Sequence, residues 1–69
     1  MIIKDTVNLG EAIRHKRKLM GLSQLDTAGL CGVGERFLSE LERGKSTAEL
    51  GKVLQVLNRL GLHIRLDEK

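Results

Sequence analysis

The chain has no tryptophan, tyrosine or proline, a single phenylalanine and a single cysteine. With Phe37 as the sole aromatic there is little to line a large cofactor pocket, and no cofactor is expected. Cys31 alone excludes a disulfide within the chain, and neither it nor the isolated His15 and His63 stands at metal-ligand spacing, so no metal is assigned. No apolar run approaches the length of a membrane span or a signal-peptide core, which implies a reducing, cytoplasmic setting and no membrane partner. Paired carboxylates and His/Cys constellations are missing as well, so the chain is not expected to be an enzyme.

What is present is small and basic. The 69 residues make one domain, 1–69, whose single core is marginal without help from another subunit or a partner. The net charge is +3 and the pI about 9.4, with the excess gathered in Arg14-His15-Lys16-Arg17-Lys18 and in Arg43 with Lys45. That distribution favours an anionic partner.

Leu, Val, Ile and Ala supply most of the apolar content, a composition suited to short packed helices. Asn8 can cap a first helix over Leu9–Met20, which carries Leu9, Ala12, Ile13 and Met20 at roughly helical spacing and stops at Gly21. Ser23 followed by Asp26 resembles a capping box and opens a second helix, Gln24–Cys31, that Gly32 ends. A third helix starts at Val33 or Gly34 and runs to about Arg43, ahead of Gly44. Ser46 with Glu49 repeats the capping-box pattern before a fourth helix, with Leu50, Val53, Leu54, Leu57 and Leu60 on one stripe and Gly61 at its end.

After Gly61 the period changes. Leu62, Ile64 and Leu66 alternate with His63 and Arg65, the signature of a short strand. A lone strand needs a partner, either the apolar start Met1-Ile2-Ile3 within the arm 1–7 or the same strand of a second subunit across a two-fold axis. The second is favoured, making 62–66 a dimerisation strand with Leu62, Ile64 and Leu66 in the interface. The expected fold is all-α, with four to five short helices around a central helix-turn-helix, plus this C-terminal β-strand.

The segment from Gln24 to Leu41 is the most telling. A small residue at Ala28 lets two helices approach, Gly32 can take the positive φ of a tight turn, and Val33, Leu38 and Leu41 anchor the second helix of the pair. Glu35, Arg36, Ser39 and Glu40 are then left pointing away, the polar face that a DNA groove reads. Arg36 is the candidate base reader, since a guanidinium can bond both acceptors of guanine. Glu35 and Glu40 must accept from cytosine, orient a neighbouring arginine or lie just outside the interface, and Glu35 also suits the helix N-terminal dipole. Ser39 is small enough for close approach, and Gly34 lets the helix start come near the groove. Gln24 and Ser23, at the start of the second helix, are candidates for the DNA backbone, as are Lys45, Arg14 and Lys18. Phe37 can cover the fourth helix, contact a thymine methyl or sit in a dimer seam.

From Leu9 to about Leu62 the chain resembles the lambda-repressor-like, Xre-type helix-turn-helix family, through Gly21-Leu22-Ser23-Gln24, Ala28, Gly32-Val33 and Leu41-Glu42-Arg43-Gly44-Lys45. The short chain and its ending Leu62-His63-Ile64-Arg65-Leu66 look like the HipB-like antitoxins within it. The resemblance implies a nucleoid-associated homodimer that binds a palindromic operator in double-stranded DNA, represses its own operon and holds a HipA-type kinase toxin. A stand-alone Xre-type regulator without a toxin is the alternative. It also implies that Arg17 and Glu42 form a partly buried ion pair, that Gln24 clamps the DNA backbone, and that Cys31 is a small core residue. Two departures stand out: Thr27 occupies a position where the family usually has Leu, and Gly29 replaces a helix-favouring residue. Both predict a weaker second helix, with Leu25 and Leu30 either packing in compensation or forming an apolar surface that a toxin covers.

Overall fold

A computed structural model describes residues 2–68. Its four α-helices are α1 (Thr6–Leu19), α2 (Gln24–Cys31), α3 (Glu35–Glu42) and α4 (Leu50–Arg59). The start of α1 is set by Asp5, whose carboxylate accepts the backbone N–H of Asn8 at 2.7 Å. The expected cap, Asn8, therefore lies inside the first turn, and the helix opens earlier than Leu9. A charged acceptor facing the positive end of the helix dipole accounts for the choice. This leaves an arm of residues 2–5, and Met1 lies outside the described residues.

Ser23 caps α2 as the sequence suggested, its hydroxyl accepting from the Asp26 N–H at 3.0 Å. Gly32 ends α2 with φ +72°, and the Val33 N–H closes back on the Ala28 carbonyl at 3.0 Å. This left-handed closure turns the chain sharply enough to start α3 across α2. The second capping box does not form. Glu49 is the N-cap residue of α4 and makes no side-chain cap bond, while Ser46 lies in a separate turn.

The core is built from Ile13, Ala28, Cys31, Leu38, Leu41, Val53, Val56, Leu57 and Leu60, with Leu9, Val33, Phe37, Ala48 and Leu62 packed against it. On α4 the buried seam runs Val53, Val56, Leu57, Leu60, and two of the expected stripe residues fall off it. Leu50, the first residue of the helix, is 67% exposed, and Leu54 is 40% exposed. Phe37 takes the covering role, half-buried with the Lys52 ammonium 5.7 Å from its ring centroid.

Leu62 continues the packing and its N–H bonds the Leu57 carbonyl at 2.8 Å. Beyond it the tail makes no strand among the described residues, either with itself or with the arm. A strand requires a ladder partner, and the described residues form no ladder. Ile64 and Leu66 are exposed, as are Ile2 and Ile3 of the arm. Between arm and tail lies a cleft of about 680 Å³. Among the described residues no helix is long and apolar enough to cross a membrane.

Candidate nucleic-acid interface

The interface begins with what locks α3 in place. Arg17 of α1 spans to Glu42 at the end of α3 with two bonds, Nε to Oε2 at 2.7 Å and Nη2 to Oε1 at 3.0 Å. Its third nitrogen donates to the Leu22 carbonyl at 2.8 Å, in the loop that leads into α2. Hydrogen bonding to Glu42 holds the Arg17 guanidinium above its ordinary pKa, against the lowering effect of burial. Breaking such a pair leaves one charge buried and uncompensated, a cost of about 3 kcal/mol.

Gln24 joins the same cluster. Its amide nitrogen donates to Glu42 Oε1 at 3.1 Å, so one carboxylate ties α1, α2 and α3 together. One N–H of this amide is thus occupied within the protein, while the other and the unpaired backbone N–H groups at the start of α2 remain available to an anion. Ser23, beside it, spends its hydroxyl on the cap and is exposed.

Ala28, 2% exposed, fills the crossing of α2 with α3. On α3, Leu38, Leu41 and Glu42 are buried. Glu35 and Arg36 are exposed, Ser39 and Glu40 half-buried, and Gly34 is exposed with open space where a Cβ would stand. The Arg36 side chain is 92% exposed, and its Nε lies 3.6 Å from Glu40 Oε1. The other Glu40 oxygen accepts from Lys45 Nζ at 3.1 Å. That hydrogen bond, aided by the charges of Lys45, Arg36 and Arg43, lowers the Glu40 carboxyl below its usual range against a smaller opposing effect of burial. Arg14 and Lys18 are exposed on α1 and enter no ion pair among the described residues.

Three supports were not legible in the sequence. Gln55 of α4 donates to the Cys31 carbonyl at 2.6 Å, bracing the turn from behind. Thr6 donates to the Gly44 carbonyl at 2.8 Å, joining the start of α1 to the end of α3. Gly10 lies so close to α3 that a Cβ there would stand 2.5 Å from the Leu41 carbonyl oxygen. Each contact spans a separation in the chain that local pattern does not encode. Cys31 is fully buried and desolvation raises its thiol pKa, so it behaves as a packing residue. No group of His, Cys, Asp and Glu able to hold a metal occurs among the described residues.

A short helix, a left-handed glycine turn and a second helix with a buried apolar edge and a polar outward face, all on a basic chain, define a helix-turn-helix DNA-binding domain. The family described as Helix-turn-helix matches residues 13–66. The chain is also 50% identical over 62 residues to an uncharacterized HTH-type transcriptional regulator, y4mF, of Sinorhizobium fredii, across 90% of this chain and 82% of that one. The chain belongs to the Xre-type helix-turn-helix family of DNA-binding transcriptional regulators, which is not an enzyme family. Among solved structures it is similar in fold to the HipA-HipB-O2-O3 complex and the HipB-O4 20mer complex. Each superposes with TM-score 0.88 at 22% identity, covering 99% of this chain and 96% of the HipB-type chain.

Proposed function

We propose that the chain acts as a homodimeric, sequence-specific transcriptional repressor that occludes a promoter by binding a palindromic site in double-stranded DNA. The observation that carries this reading is the outward face of α3, where Arg36 stands 92% exposed between exposed Glu35 and half-buried Ser39 and Glu40. In this reading α3 enters the major groove. Arg36 bonds guanine, Gly34 admits close approach, Glu35 and Ser39 complete the base-facing set, and Glu40 lies on the same face, either accepting from cytosine or orienting the neighbouring arginine. Ser23, Gln24, Lys45, Arg14 and Lys18 meet phosphates, and the two α3 helices of a dimer lie about 34–36 Å apart in successive grooves. Leu62, Ile64 and Leu66 of the domain's 62–66 segment pair with their counterparts in the second copy. The exposed Ile64 and Leu66 and the open cleft beside them support that arrangement.

The finer reading is a HipB-like antitoxin that holds a HipA-type kinase toxin and represses its own operon in the cytoplasm. Its support is the fold shared with the HipB chains of solved complexes, one of which includes HipA. Two measurements test the proposal. Titration of Arg36→Ala against variants of a duplex selected by the wild-type chain is expected to lose preference at one base pair. Unchanged affinity and preference would remove Arg36 as reader. Co-expression with the product of the neighbouring gene is expected to yield a stable complex, whereas a chain that purifies alone is a stand-alone regulator.

A further inference from the structure

Glu40 is an acid on the face proposed to meet a polyanion. If affinity alone shaped that face, a carboxylate there would be a liability, because repulsion grows as water is squeezed from between charges. Its surroundings differ from those of an incidental surface acid. One oxygen is held by Lys45 at 3.1 Å and the other faces Arg36 Nε at 3.6 Å. The Glu40 side chain is 27% exposed, against 92% for Arg36 and 45% for Lys45, so the carboxylate is the fixed member and the cations the mobile ones. Helix stability does not explain the pair, since an acid C-terminal to its base at this spacing is the weaker orientation. In water an exposed pair of this kind contributes little.

We infer that Glu40 is a positioning residue for DNA recognition, aiming Arg36 at its base and holding Lys45 beside the backbone instead of reading a base itself. The inference rests on α3 being the recognition helix. An unrestrained arginine populates many rotamers. A carboxylate one turn further along the helix, on the Nε edge, restricts them and leaves both terminal nitrogens free for the two acceptors of guanine. Once the groove excludes water the pair strengthens, so its effect arises in the complex and not in the free chain. Lowering of the Glu40 pKa is consistent with this, because the carboxylate then stays ionised. Glu35, exposed at the first residue of α3, has no such cationic partner among the described residues.

The test uses the full chain and two probes: a duplex recovered from a random-sequence pool by the wild-type protein, and a scrambled duplex of equal composition. Glu40→Gln is expected to bind the scrambled duplex at least as tightly as wild type while its selected-to-scrambled ratio falls about tenfold, the size of one well-made bidentate base contact. The loss is expected at the base pair that Arg36→Ala also affects, and the double variant is expected to lose no more than Arg36→Ala alone. Loss at a different base pair would overturn the inference in favour of direct reading by Glu40. An equal rise in affinity for both duplexes would overturn it in favour of simple repulsion. If Arg36→Ala itself leaves the ratio intact, the reader assignment falls and this inference with it. An Arg36 effect without a Glu40 effect removes the positioning role alone.

Discussion

The seam between α1 and α3 and the body of α2 solve the same packing problem in opposite ways. Along the seam every residue is dictated by its neighbour. Gly10 has no room for a Cβ, Thr6 bonds the Gly44 carbonyl, and Arg17 and Glu42 share two hydrogen bonds. In α2 the usual pattern is turned inside out: Thr27, Ala28 and Cys31 face the core, while Leu25 is 63% and Leu30 47% exposed. The Thr27 hydroxyl is fully buried without a hydrogen-bond partner, and Gly29 has open space around it. One region is closely packed and seats α3 against α1. The other carries an unpartnered buried hydroxyl and an interior glycine in the helix whose N-terminus is proposed to meet phosphate.

The largest expected effect lies in the seam. Gly10→Ala would drive a methyl group to 2.5 Å from the Leu41 carbonyl oxygen and 2.6 Å from that of Glu42. Backbone cannot step aside as a side chain can, so the helices must separate. That disturbance, of the order that overpacking produces, should destabilise the fold by about 3 kcal/mol. For a domain of this size such a loss approaches the whole of its stability. Urea denaturation at fixed protein concentration checks it, and a midpoint within error of wild type would show that the seam is softer than its geometry implies.

How much of this contrast could be read beforehand depends on the range of each contact. Helix identity, the Ser23 cap and the Gly32 turn follow from spacing over a few residues, and the structure has them where the pattern put them, while of the outward set on α3 Glu35 and Arg36 are exposed and Ser39 and Glu40 half-buried. The N-cap positions of α1 and α4 fall at Asp5 and Glu49, each about one helical turn from the expected Asn8 and Ser46: at α1 a charged acceptor takes the cap, and at α4 no side chain bonds the helix start. Leu25 and Leu30 look like core residues by type. The inward face belongs instead to Ala28, which the spacing placed at the helix crossing, with Thr27 and Cys31, and of the two readings of Leu25 and Leu30 the exposed one holds. The Gln24 and Gln55 bonds to other helices have no local signal at all. The alternation over 62–66 is clear in sequence, but period alone does not make a strand, and among the described residues the segment has no ladder to join.

The second prediction concerns the buried hydroxyl. Thr27→Val keeps the shape and removes an oxygen that makes no bond in the structure. A buried polar group without a partner costs about 1–3 kcal/mol, so the variant should gain about 1 kcal/mol. In a domain of this length that is a rise of about 4–8 °C in Tm. A fall in Tm would mean that the hydroxyl has an acceptor in solution, such as a bound water, and the contrast between the two regions would narrow.

The smallest effect is the sharpest comparison, because the seam's own substitution is repeated on α2. Gly29→Ala adds a methyl group to a helix interior where nothing stands within 4 Å of the new carbon. It also removes the backbone entropy that glycine loses on folding, and a gain of about 0.5–1 kcal/mol follows. Two glycines, each inside a helix, should therefore answer one mutation with opposite signs. Amide hydrogen exchange locates the gain: slowing confined to α2 is expected, since local opening of a helix is limited by its own stability. If instead Gly29→Ala leaves exchange unchanged but alters complex formation with a co-expressed partner, the open space beside Gly29 is contact surface, and α2 gives up stability for binding.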